Sequence, residues 1–162
     1  MQFKGFPAVI NFPSPGFAYG QHRRNLERNN YGVQQELKTL RTAKELGFYT
    51  FGLAYDEEIA MQIAADNHDA LVLGLAMLEW ENGGATLEQA AEYINRVSTK
   101  AKAVAPEMLI FVQGLPVQTP EDTQYIYDHT DAVGFIGINN MDYGTKPIQD
   151  TVAAFKSAKI RA

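Results

Sequence analysis

At 162 residues with 46% hydrophobic content, the chain is long enough to bury one core, and it reads as a single domain over 1–162. A formal net charge of −5, with both signs mixed along the chain, leaves no block of like charge to grip nucleic acid or anionic lipid. The lack of cysteine excludes thiolate metal sites, cysteine nucleophiles and disulfides. With no signal-like start and no apolar run near the roughly 20 residues of a membrane span, the expectation is a cytoplasmic chain without membrane contact.

The first apolar run, 8–12, leads into Asn11-Phe12-Pro13-Ser14-Pro15-Gly16, where two prolines and a glycine stop any helix and predict an irregular loop to about Gly20. From Leu26 onward, Leu26, Val33, Leu37, Leu40, Ala43 and Leu46 recur at helical spacing, and Gly47 supplies a stop. After the run 49–55, Asp56 caps a helix through Ile59, Ile63 and Ala64, with Glu57 and Glu58 against the positive end of its dipole. The run 70–75 follows. Thr86-Leu87-Glu88-Gln89 then has capping-box spacing and opens a helix carrying Tyr93, Ile94, Val97 and Ala101, which Pro106 ends. Beyond the run 109–114, Thr119-Pro120-Glu121-Asp122 starts another helix with proline where its missing N–H costs nothing. The run 132–138 is the last, followed by a helix from about Lys146 to Lys159 that buries Ile148, Val152 and Phe155.

Unbroken apolarity means that both faces of each run are buried, the mark of a parallel sheet covered by helices. The fold class is therefore α/β, built from βα units of ordinary length. Five units fall short of a closed barrel, which needs about 250 residues. Two architectures remain: five units of a (β/α)8 barrel, or an open doubly wound sheet.

In either, the carboxyl ends of the strands form the working face. The residues there are mainly amides and glycines: Asn11, Tyr55 and Asp56, Glu79 to Gly84, Gln113, and Asn139, Asn140 and Asp142. His22-Arg23-Arg24 is the cationic cluster of that face, and an Arg fork suits a carboxylate or phosphate; the alternative is that it solvates a loop and pairs with Glu27 or Glu36. Glu79 and Glu81 offer oxygen to Mg²⁺ or act as acid and base, against the simpler reading of a solvated loop. His68 and His129 sit at helix C-termini, where the dipole favours a partly positive imidazole, and read as structural. Gly83-Gly84 before Thr86 is a weak anion cradle. No GxGxxG, Walker lysine loop, GxSxG elbow or HExxH occurs.

Asn11-Phe12-Pro13, Gly20, Arg23, Asn25-Leu26-Glu27 and Gly32, together with the stretch from Gln113-Gly114-Leu115-Pro116 through Thr119-Pro120-Glu121-Asp122-Thr123-Gln124-Tyr125, resemble the phosphoenolpyruvate hydrolase-like TIM-barrel family, related to phosphoenolpyruvate mutases and isocitrate lyases. Gly134-Phe135-Ile136-Gly137-Ile138-Asn139-Asn140-Met141 resembles its last strand. The resemblance implies that the first strand here is the fourth of the barrel, so that three βα units, with the superfamily's acidic Mg²⁺ shell, lie outside this sequence, as they would in a piece of a longer protein. It also implies a histidine after the sixth strand and another after the seventh. This chain has Leu75 or a neighbour at the first place and Gln113 at the second, and Asn139-Asn140-Met141-Asp142-Tyr143 replaces a Ser-Ser-Met-Glu-Arg pattern.

What the resemblance implies about function is an enzyme acting on a small phospho- or 2-oxo carboxylate with Mg²⁺. Glu79, Gln113 and Asp142 then take the catalytic positions, and Asn11, Arg23, Asn139 and Asn140 hold the substrate. The alternative is a non-catalytic ligand-binding or protein-interaction module that kept the fold without the imidazoles, because glutamine cannot shuttle a proton near neutral pH. The expected partners are a small anionic carboxylate or phosphate, and further copies or a second chain to cover the exposed strand edges.

Overall fold

The computed structural model describes residues 7–78, 84–137 and 148–160. Strands β1 (Ala8–Ile10), β2 (Tyr49–Ala54), β3 (Ala70–Gly74), β4 (Leu109–Gln113) and β5 (Ala132–Ile136) form one sheet in the order β1-β2-β3-β4-β5, and every neighbouring pair is parallel. The helices are α1 (Gly20–Arg28), α2 (Val33–Glu45), α3 (Glu57–Ala65), α4 (Leu87–Val104), α5 (Pro120–His129) and α6 (Ile148–Lys156). A doubly wound sheet reverses its strand order at a switch point, and a barrel grows in sequence order. The sequential order here, with α3 against α4, α4 against α5 and α5 against α6 in one layer, is that of a partial barrel and removes the doubly wound alternative.

The local chemistry explains the elements. Asp56 caps α3 by accepting from Ile59 N at 2.8 Å, and Thr86 with Gln89 and Thr119 with Asp122 close capping boxes on α4 and α5. The helical run expected from Leu26 is two helices, and the first already starts at Gly20, so that His22-Arg23-Arg24 lie on α1 and not in a loop. The run breaks at Asn30, whose φ of 60° is left-handed, while Tyr31 N turns back to Leu26 O at 2.9 Å. The loop after β1 is less irregular than its prolines suggest, because Ser14 accepts from Gly16 N and caps a 3-10 turn over Pro15–Phe17. The start of the last predicted helix lies outside the described residues.

Every residue of β3 is buried, and the core lies between the sheet and the helices: Leu37, Ile63, Ile94 and Ile126 pack toward Leu71, Leu73, Ile110 and Val112. Each such side chain contributes on the order of 1.5–3 kcal/mol by leaving water. A Cβ on Gly52 would lie 2.5 Å from Ile63 of α3, which fixes the face of β2 that carries Gly52 as the helix side. Period-two alternation therefore turns Phe51 to the opposite, barrel-interior face, where it meets Phe111 edge-on at 5.2 Å. Among the described residues nothing pairs with the outer edges of β1 and β5, and Ile10, Phe12 and Tyr49 are exposed.

The two histidines are structural in different ways. His129 ends α5, with Nδ1 2.8 Å from Tyr125 O and its ring stacked on Tyr125. His68 is fully buried, and burial pushes its pKa down, so the partly positive imidazole expected from the helix dipole gives way to a neutral one. Thr50 Oγ1 donates to Asp69 Oδ2 at 2.9 Å and so can only accept from His68 Nδ1, also at 2.9 Å, which places the ring proton on Nδ1.

Candidate functional site at the strand tips

The C-terminal tips of β2 and β4 bring Tyr55 and Gln113 together. The ring of Tyr55 crosses the tip of β3 over Gly74, touches Gly16 and meets Phe17 edge-on at 6.0 Å. Burial raises the Tyr55 pKa above its usual 10.0; a hydrogen bond from Gln113 works against that rise, and the negative field of Glu36 adds to it. Gln113 Oε1 is buried with no hydrogen-bond partner among the described residues. The pair thus sets a phenol hydroxyl beside a buried carbonyl oxygen able to accept.

Gln113 is held from below. Its backbone oxygen accepts from Leu75 N at 2.9 Å, and the chain leaves it through Gly114, at φ 92°, and the cis Leu115–Pro116 bond. A positive φ of that size is open to glycine at little cost.

Arg23 reaches the same rim from α1. Its Nε donates to Glu27 Oε1 at 3.2 Å, and one terminal nitrogen lies 3.7 Å from Asp56 Oδ2 at the head of α3. The pairing with Glu27 is one of the two weighed from sequence, and Asp56 is the second partner in place of Glu36. Two carboxylates neutralise much of the charge that an anion would seek.

Asn11 is turned to the scaffold. Its Oδ1 accepts from Leu53 N at 2.6 Å, and its Nδ2 donates to Leu53 O and to Glu36 Oε2, both at 3.1 Å. Ser14 Oγ donates to the same Glu36 oxygen at 2.7 Å. Burial raises the Glu36 pKa above its usual 4.5, and the bonds from Ser14 and Asn11 pull the other way. Glu79, Asn139, Asn140 and Asp142 lie outside the described residues. Among the described residues no group of three or more acidic or imidazole side chains is placed to hold a metal ion.

Tyr55 and Glu36 carry more of this site than their sequence context suggested. Both left a signal. Tyr55 closes an apolar run with a hydroxyl at a strand tip, and Glu36 shares the helical stripe of Val33, Leu37 and Leu40, so its carboxylate falls on a face that faces inward.

The family model described as phosphoenolpyruvate hydrolase-like matches residues 1–158. The chain is similar to the ToMV resistance protein Tm-1(GCR237) of Solanum lycopersicum, 26% identical over 155 residues, covering 93% of this chain and 20% of that protein. It is also similar to the putative transcriptional regulatory protein y4pA of Sinorhizobium fredii, 29% identical over 162 residues, covering 94% of this chain and 26% of that protein. The chain thus spans about a fifth to a quarter of the length of these curated relatives. Among solved structures, the flavin-binding domain of baker's yeast flavocytochrome b2 aligns with a TM-score of 0.49 at 16% identity, covering 93% of this chain and 41% of that one. No helix among the described residues is long and apolar enough to cross a membrane.

Proposed function

The chain belongs to the phosphoenolpyruvate hydrolase-like family, and from that premise we propose that it is a non-catalytic member, binding a small carboxylate or phosphate oxyacid at the strand tips without acid–base chemistry of its own. The observation that carries this reading is the Tyr55–Gln113 pair. Gln113 stands where the family resemblance places an imidazole, and an amide does not exchange a proton near neutral pH, while a phenol with a raised pKa stays protonated there and cannot serve as the base. The pair can still hold a ligand, with Tyr55 donating to a carboxylate or oxo oxygen and Gln113 Oε1 accepting from a hydroxyl. Arg23 adds a partly neutralised guanidinium at the rim.

Thermal-shift titration with phosphoenolpyruvate, oxaloacetate and oxalate, with and without Mg²⁺, tests the reading, since a ligand that binds only the folded state raises its apparent stability. A saturable rise that Gln113→Ala removes is the expected result; no rise with any of them overturns it.

The second reading is an enzyme of the same substrate class, with Arg23 holding the anion and Mg²⁺ near Glu79 or Asp142. Family membership itself favours it. In that reading the metal would polarise the substrate's oxygens, and turnover that falls with Glu79→Gln or Asp142→Asn would establish it.

In either reading the chain works with its sheet edges covered, by further copies or by a segment supplying more βα units. Edges that are unpaired among the described residues, and the exposed Ile10, Phe12 and Tyr49, support this. Light scattering that gives a stable monomer at high concentration would argue against it for this chain.

A further inference from the structure

Next to Tyr55, whose ring meets Phe17, the loop after β1 and the α1–α2 corner line an open cavity of about 400 Å³. Its walls include Pro13, Phe17, Leu26 and Tyr31, and Ser14 and Glu36 line it as well. That volume suits one small molecule. Among the described lining residues, Glu36 supplies the single carboxylate, and there is no lysine, arginine or histidine.

A carboxylate withdrawn from water is ordinarily matched by a cation. Glu36 is half-buried, Asn11 and Ser14 satisfy one of its oxygens, and no salt bridge to it occurs among the described residues. The neighbouring aromatic side chains are open to solvent, Tyr31 at 72% and Phe17 at 44% exposure, and so are available to a ligand. Ring faces attract cations. A lone carboxylate is too few ligands for a divalent metal, and an anion would be repelled.

We infer that this cavity binds a small organic monocation, an ammonium on a compact apolar body, with the charge on Glu36 and the body against Phe17, Leu26 and Tyr31. The inference does not rest on the oxyacid reading: the cation is taken by the Glu36 carboxylate, the oxyacid by Tyr55 and Gln113, although the two sites adjoin through Phe17.

The test is NMR titration of the ¹⁵N-labelled chain with benzylammonium and with its neutral analogue benzyl alcohol. Benzylammonium should give saturable shifts clustered at Ser14, Tyr31 and Glu36, and benzyl alcohol should bind about tenfold more weakly or worse, the gap expected of a charge-assisted contact. Glu36→Gln keeps an acceptor for Asn11 and Ser14 and should lose affinity by about the same factor. Tyr31→Ala, at an exposed position that leaves the core intact, should weaken binding severalfold. Equal binding of the two probes, an unaltered affinity in Tyr31→Ala or in a folded Glu36→Gln, or no saturable shift by about 10 mM benzylammonium overturns the inference.

Discussion

Tyr55 occupies the space that any side chain on Gly74 would need: a Cβ there would lie 2.4 Å from both Cδ1 and Cε1 of the ring. The bare tip of β3 is what lets the phenol lie across the sheet and reach Gln113. Gly74→Ala should therefore displace the ring and destabilise the fold by about 1–3 kcal/mol, the usual cost of overpacking. It should also abolish any response to oxyacid ligands. Urea unfolding and the thermal-shift titration measure the two effects, and a variant of unchanged stability with intact binding would show that the ring does not need this space.

Asn11 behaves as a piece of β-ladder supplied by a side chain, bonding both the N–H and the C=O of Leu53. Asn11→Ala leaves those groups and part of Glu36 without partners, and should cost about 1–3 kcal/mol in urea unfolding. Asn11→Asp keeps an acceptor for Leu53 N but sets a second carboxylate against Glu36. Its stability deficit relative to the parent should shrink as pH is lowered through the carboxylate range, because protonating either group removes the repulsion.

How much could be read beforehand follows from which interactions are local. Apolar runs, the Asp56 cap and the Thr86 and Thr119 boxes depend on residues a few places apart, and the structure has them where the spacing put them. The break at Asn30 was hidden because Leu26 and Val33 stay in helical phase across it. The scaffold role of Asn11 and the Tyr55–Gln113 contact join strands through register, which one sequence does not encode locally. His68 carried a local signal, its helix terminus, that burial overrode.

Acid sensitivity should begin at His68. Its folded pKa is below the unfolded value of about 6.5, so the unfolded chain binds a proton that the native chain does not, and stability falls as pH drops from about 6.5. Burial dominates that shift; Asp66 and Asp69 oppose it, and Lys44 and Arg41 reinforce it. Asp69, held ionised by Thr50 against the cost of its burial, has a lowered pKa and adds a loss of the same sign further down, below about 4. His68→Gln should flatten the stability profile between about pH 6.5 and 5 and leave the lower limb in place. A profile unchanged by that substitution would contradict the buried, neutral assignment.

Arg23 is one-third exposed and shared between Glu27 and Asp56, which makes it a weak structural tie. Arg23→Ala should change unfolding free energy by less than about 1 kcal/mol. Oxyacid affinity should fall modestly in the same variant, by less than in Gln113→Ala, as read by calorimetric titration; a total loss of binding would move the anchor from the Tyr55–Gln113 pair to the guanidinium.

The most direct measurement is ³¹P NMR of phosphoenolpyruvate with the full chain and Mg²⁺, which reads binding and hydrolysis in one spectrum. Binding without turnover predicts that the phosphoenolpyruvate resonance broadens or shifts with protein concentration while no inorganic phosphate accumulates. A phosphate signal that grows in proportion to protein and disappears in Gln113→Ala would contradict the account and establish catalysis at these strand tips.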